Sequence, residues 1–139
     1  PTPPPAPSLT TDILGEPWVA RRIAVTPDEA AAPGADHAVL VHQRGAVPPA
    51  GGAPRHERAV LYLHGRNDFF FQTHLADALL TAGYEFYALD LRRYGRSWRE
   101  GQMLGWCTSL AEYDEDLGRA LSAIRADQGW ETELVLLSL

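Results

Sequence analysis

A chain of 139 residues, 45% hydrophobic and 22% charged, suits one domain of ordinary globular composition. The net charge of −6, with all twelve basic residues Arg, argues against a nucleic-acid or anionic-membrane partner, because both need a basic surface. No apolar run is long enough to span a bilayer, the single Cys107 excludes an internal disulfide, and no signal peptide is visible, so a cytoplasmic location is the expectation.

The Pro-rich tail of residues 1–9 suits neither helix nor central strand. It starts Pro-Thr-Pro-Pro-Pro rather than with Met, as a processed or trimmed terminus would. Trp18 to Val25 alternates well enough for an outer strand, Pro27 to Asp36 is a turn-rich connection, and His37 to Arg44 is a second strand. With the Pro- and Gly-rich loop Ala46 to Pro54 after them, these two strands suit an antiparallel pair at a sheet edge. Ala59-Val60-Leu61-Tyr62-Leu63 is continuously apolar, as in a strand covered on both faces. No internal repeat and no domain boundary is visible after residue 15.

A helix is expected from Asn67 or Asp68, either of which can cap it. Its apolar stripe is Phe71, Leu75, Ala78, Leu79 and Ala82, and Gly83 ends it. A strand follows to Asp90. Ser109-Leu110-Ala111-Glu112 has capping-box spacing and opens a second helix with Leu110, Tyr113, Leu117, Leu121 and Ile124 on its buried face and Gly129 at its end. Leu134 to Leu137 is the last strand. Strand, helix, strand, helix, strand predicts an α/β fold, with parallel strands near residues 58–63, 84–90 and 133–138 in one sheet. Such a sheet gathers His64 to Asp68, Asp90 to Ser97 and whatever follows Leu139 at the carboxyl ends of its strands, where ligands bind.

The run Leu61-Tyr62-Leu63-His64-Gly65-Arg66-Asn67-Asp68-Phe69-Phe70-Phe71-Gln72, with Tyr87-Ala88-Leu89-Asp90-Leu91-Arg92-Arg93-Tyr94-Gly95-Arg96-Ser97 after it, resembles the serine aminopeptidase-like branch of the α/β-hydrolases. That branch includes monoacylglycerol-lipase and lysophospholipase-like esterases, bacterial members among them. The resemblance spans roughly residues 10–139. It implies the N-terminal half of an α/β-hydrolase domain: a mostly parallel sheet with antiparallel N-terminal strands, ending at the nucleophile strand. It also implies a serine hydrolase that acts on carboxylic esters or related acyl compounds through an acyl-enzyme, without cofactor or metal. His64-Gly65-Arg66 then marks the oxyanion loop, with the backbone amide of Arg66 as catalytic donor and His64, Gly65, Asn67 and Phe70 as substrate-binding residues. Asp90, Gly95 and Ser97 form a structural turn near the site.

The later parts of that pattern are absent. Gly95-Arg96-Ser97 is followed by Arg99 where the motif Gly-x-Ser-x-Gly needs its second Gly, and it lies too far from its strand for a strand-to-helix elbow. In register with the family, Ser138 takes the first Gly position and the nucleophile is expected at position 140, as in a truncated, cleaved or interrupted chain. The expected partners are a small acyl or ester substrate and the remainder of the polypeptide, or a second chain, to complete the sheet. The alternative is a non-catalytic α/β-hydrolase-like binding module. The remaining candidates have plain readings. His37, His42, His56 and His74 share no metal-ligand spacing and fall on an edge strand, loop or helix surface; Asp12, Asp114, Glu115 and Asp116 read as solvated faces. Arg92, Arg93, Arg96 and Arg99 read as a surface loop paired with local acids, and Trp106 and Cys107 as packing.

Overall fold

A computed structural model of the chain describes residues 8–28 and 36–138. Most of the Pro-rich tail and the middle of the Pro27 to Asp36 connection lie outside the described residues. The strands are β1 (Thr10–Thr11), β2 (Trp18–Ala24), β3 (His37–Gln43), β4 (Arg58–Leu63), β5 (Tyr84–Asp90) and β6 (Glu133–Ser138); the helices are α1 (Thr73–Thr81) and α2 (Glu112–Gln128). They form one mixed six-stranded sheet in the order β1-β2-β3-β5-β4-β6. β4 pairs parallel with both β5 and β6, and Leu61 lies opposite Leu136, so the three apolar runs share one sheet as the sequence predicts. β1, β2 and β3 continue it antiparallel.

Two strand readings need correction. β3 is not at an edge: it lies between β2 and β5, and all of its residues but Gln43 are buried. The outer position belongs to β1, a two-residue strand too short to show a period in sequence.

Alternation along the strands separates two cores. Leu61, Tyr87, Leu89 and Leu40 face α2, which contributes Ala120, Ile124 and Leu117. Val60, Tyr62, Phe86 and Val41 face the other way, onto Ala76, Leu75 and Leu79 of α1. The helices lie on opposite faces because β5 sits on one side of β4 and β6 on the other, and crossovers of a single hand then cover opposite faces. The order in which strands are added therefore reverses between β4 and β6, which stay parallel, and the crevice beyond their carboxyl ends is where an open α/β sheet binds its ligand.

Helix α1 starts five residues later than Asp68, for a local reason. Asn67 is left-handed at φ 57, and the next amides are taken by side chains: Phe69 N–H by its neighbour Asp68 and Phe70 N–H by Asp90. Helical hydrogen bonding cannot begin until these end. Phe71, placed in the helical stripe by its spacing, is exposed, and Ala76 takes the buried position. At α2, Ser109 Oγ accepts the Ala111 amide while Glu112 accepts the Thr108 amide, so the capping box is displaced by a turn that precedes the helix. Leu110 is consequently left 75% exposed.

His42 is not on a surface. It is fully buried between Arg21, whose Nη2 donates to Nε2 at 2.9 Å, and the Gln43 carbonyl, which accepts from Nδ1 at 2.7 Å. Arg21 also pairs with Asp127 of α2, which accepts from Tyr87 Oη. Burial pushes the His42 pKa from 6.5 down to about 4, because an imidazolium there would be unsolvated and would face Arg21. Between those two values the unfolded chain binds a proton that the folded chain does not. Stability is thus fully present above pH 6.5 and is lost as the pH falls toward 4, by at most about 3 kcal/mol from this group. Urea unfolding of the His42→Gln variant should show a smaller loss between pH 7 and pH 4.5 than the parent; an equal loss would mean that His42 does not titrate in this way.

Candidate active site

The site is built on the ends of β4 and β5. β4 delivers His64 just past Leu63, and the ring is held at both nitrogens: Nε2 accepts the Leu91 amide at 3.1 Å and Nδ1–H donates to the Gly65 carbonyl at 2.9 Å. It also packs on Tyr94 at 4.5 Å between ring centroids. With both nitrogens engaged, His64 is a bracket between two loops and has no free lone pair to act as a base. The Gly65 carbonyl and the Arg66 N–H belong to one planar trans peptide and point in opposite directions. By fixing the carbonyl toward itself, His64 turns the Arg66 N–H outward, and that N–H has no acceptor among the described residues. The left-handed residue of the turn is Asn67 rather than Gly65.

A cavity of about 520 Å³ opens here, bordered by His64, Gly65, Arg66, Tyr94, Cys107 and Tyr113. Cys107 and Trp106, read from sequence as packing, are on its wall. Burial first, then hydrogen bonding with Cys107 and the nearness of Tyr94, raise the Tyr113 pKa, so its phenol stays protonated at neutral pH. On the other side of Tyr94 lies a cavity of about 400 Å³ lined by Asn67, Phe69, Tyr94 and Trp98 among others.

Of the five site residues read from sequence, His64, Gly65 and Arg66 border one cavity and Asn67 the next. Phe70 must be corrected. It is fully buried in the core, with its ring 5.1 Å from Phe86, 5.5 Å from Trp18 and 5.8 Å from Tyr62. Its neighbour Phe69, 37% exposed, takes the cavity wall instead. Three consecutive Phe residues outside a helix alternate in direction, and sequence spacing does not say which one points inward.

The turn after β5 holds the other wall. Asp90, fully buried, accepts the Phe70 amide through Oδ1 at 3.2 Å, and the Arg96 amide and guanidinium through Oδ2, both at 3.0 Å. Arg96 continues to Asp12, at 2.6 Å. Ser97 Oγ donates to the Asp90 carbonyl at 2.6 Å. Gly95 sits at φ +44, and a Cβ there would lie 2.7 Å from Asp90 Oδ2 and would overlap Phe69.

The arginines of this turn are mostly not at the surface. Arg92 is buried and grips Asp116, also buried, through its amide and guanidinium, while reaching Glu115 at 2.9 Å. Partial burial tends to raise the Glu115 pKa, but hydrogen bonds from Thr26, Arg92 and Arg119 outweigh it and hold the carboxyl at about 2. Arg93, buried and left-handed at φ 63, pairs with Asp36 at 2.6 Å and donates to the Trp106 carbonyl at 2.7 Å. Apart from Asp90, six residues from Arg96, the acids are distant in sequence rather than local, and Asp12 and Asp116 are buried partners rather than solvated faces. Among the described residues, no group of three His, Cys, Asp or Glu side chains could hold a metal ion, and no helix is long and apolar enough to cross a membrane.

Residues 54–138, from the approach to β4 through the end of β6, match the sequence profile of the family described as serine aminopeptidase, S33. No curated protein matches the chain.

The ties at Asp90 lead to a contrast in stability. Asp90→Asn leaves the buried Arg96 charge with Asp12 alone, and should cost about 3–5 kcal/mol, as for a broken buried pair. Arg99→Ala, three residues along on the exposed side of the turn, should change stability by less than about 0.5 kcal/mol. Chemical denaturation of the two variants measures both; similar values would mean that the Asp90 ties are not what holds the turn.

Proposed function

Since the chain belongs to the serine aminopeptidase S33 family and is a hydrolase of the α/β-hydrolase type, we propose that it serves a serine hydrolase of carboxylic esters or related acyl compounds, with residues 10–139 as the first half of the catalytic domain. The observation that carries this reading is the Arg66 N–H, turned outward and unpartnered at the carboxyl end of β4. Ser138 of β6 lies opposite Leu63 of β4, so the chain leaves β6 beside His64 and Gly65. A serine on the segment following β6 would emerge there, at the reversal point of the sheet.

In this mechanism the serine oxygen attacks the ester carbonyl carbon, and the carbonyl oxygen gains the negative charge. The Arg66 amide donates to it, with the amide after the nucleophile as the second donor. The oxyanion collapses to an acyl-serine as the alcohol leaves with a proton, and water then releases the acid. His64 acts by aiming the Gly65–Arg66 peptide, and Asn67 shapes the loop through its left-handed backbone. The nucleophile, its base and the acid that orients it come from the remainder of the polypeptide or from a second chain, which also covers the open edge of β6.

Two measurements test this. The full-length protein should be labelled by a fluorophosphonate at a serine just after β6 and should hydrolyse short-chain aryl esters at neutral pH. Arg66→Ala should keep much of that activity because the donor is backbone, whereas Arg66→Pro should lose roughly 10²-fold or more in turnover while circular dichroism shows it folded. Equal losses would assign the effect to the side chain, and a parent that takes up no probe would favour the non-catalytic binding module. For assembly, mass spectrometry of the purified protein should find polypeptide beyond these residues; a cooperatively folding monomer of 15.3 kDa would count against a sheet completed from elsewhere.

A further inference from the structure

A second cavity is larger than the one at His64. It has a volume of about 740 Å³ and lies beyond the small cavity behind Tyr94, with which it shares Phe69, Gly95 and Trp98. Its place follows from the sheet. β3 runs antiparallel to β5 with Val39 opposite Asp90, so the His37 end of β3 lies at the carboxyl edge of the parallel strands. Ala20, Arg22 and Val39 line its floor, on the sheet face that also carries Trp18 and Val41. The turn between β1 and β2, with Ile13, and the residues after β5, with Trp98, form its open sides.

The lining is amphipathic. Ile13, Val39, Phe69 and Trp98 supply the apolar surface, and Arg22 and Arg99 supply two guanidinium groups. Neither of those has a carboxylate partner among the described residues, although Arg22 donates to His37 Nδ1 at 3.3 Å. Arg96 also borders the cavity, but Asp12 and Asp90 offset its charge. These two guanidinium groups, without a carboxylate partner among the described residues, stand beside exposed aromatic surface that a water-filled groove would not favour.

We propose that this cavity binds an amphipathic carboxylate, with the apolar chain against Phe69 and Trp98 and the carboxylate on the guanidinium groups of Arg22 and Arg99. Arginine suits that role because its planar fork donates two parallel hydrogen bonds to a carboxylate. Tyr94 borders both the cavity at His64 and the small cavity, and Phe69 and Trp98 border both the small cavity and this one. Resting on the hydrolase reading, the same run of cavities defines a substrate class: an ester at the Arg66 amide whose apolar acyl chain ends in a distal carboxylate, that is, a monoester of a long-chain dicarboxylic acid.

The test separates the cavity from the chemistry. By calorimetry, the full-length protein should bind decanoate at least about 10-fold more tightly than decanamide, its neutral counterpart, a margin expected of a charge-assisted bidentate contact. In the Arg22→Ala/Arg99→Ala variant, with an unchanged melting temperature, that margin should vanish. Hydrolysis is then read with the 4-nitrophenyl monoester of decanedioic acid against neutral 4-nitrophenyl decanoate. The ratio of their kcat/KM values should favour the anionic ester and fall by at least about 10-fold in the double variant. Discrimination in binding with no hydrolysis of either ester would support the cavity and overturn the hydrolase reading. Equal binding of decanoate and decanamide, or a margin that survives in the double variant, would overturn the proposal, whichever esters are hydrolysed.

Discussion

The carboxylate of Asp90 is the point on which the rest of this structure depends. It is buried without access to water, and a charge in that position is tolerated only if donors replace the lost solvent. The donors come from two loops: the Phe70 amide from the segment after β4, and the amide and guanidinium of Arg96 from the turn after β5. Through Arg96 the tie extends to Asp12, ahead of β2. The motif Asp-x-x-x-x-Gly-x-Ser follows from this arrangement. Asp90 gathers the donors, Gly95 lets the chain pass where a Cβ would strike Asp90 and Phe69, and Ser97 satisfies the last carbonyl of the strand. None of these residues touches the Arg66 amide, yet together they hold the wall opposite it.

Two further buried arginines extend the same plan. Arg92 docks α2 against the β5 turn through Asp116 and Glu115, and Arg93 holds the residues around Trp106 that close the cavity at His64. The desolvation of such ion pairs offsets much of their attraction, so their main effect is placement rather than net stability. Arg93 adopts a left-handed backbone that costs of order 1 kcal/mol or more in a non-glycine residue. Such a conformation persists where surrounding contacts over-determine it, and here Asp36 and the Trp106 carbonyl do so. Loops without regular hydrogen bonding thereby become fixed walls.

β6 differs from the other parallel strands. Paired with β4 on one side, it leaves Leu136 58% exposed and Val135 39% exposed, next to Trp130 at 80%. An apolar surface of this kind is one on which a further element can pack. It adjoins the point where the chain leaves β6 beside His64, so the element that covers it would also border the site.

The sequence by itself determined the elements whose cause is local or periodic. The apolar run Ala59–Leu63 read as a strand covered on both faces, as β4 is, and Leu134–Leu137 as a further strand; two helices between three strands dictated a parallel core with His64 and Asp90 at its carboxyl end. Gly83 and Gly129 at positive φ end their helices as their positions suggested. Tertiary structure alone decided what depends on partners far away in the chain. Arg92 and Arg93 read as surface charges until Asp116 and Asp36, 24 and 57 residues away, are brought to them. His42 and Asp12 are buried for the same reason, and β1 exists only because β2 offers it an edge. Of Phe69, Phe70 and Phe71 it is Phe70, its amide held by Asp90, that enters the core, a choice that sequence could not show because outside a helix no period assigns side chains to faces. Local rules act over a few residues and leave a mark in the sequence; a buried charge is chosen by whichever donor the fold carries to it, and spacing records nothing of that choice.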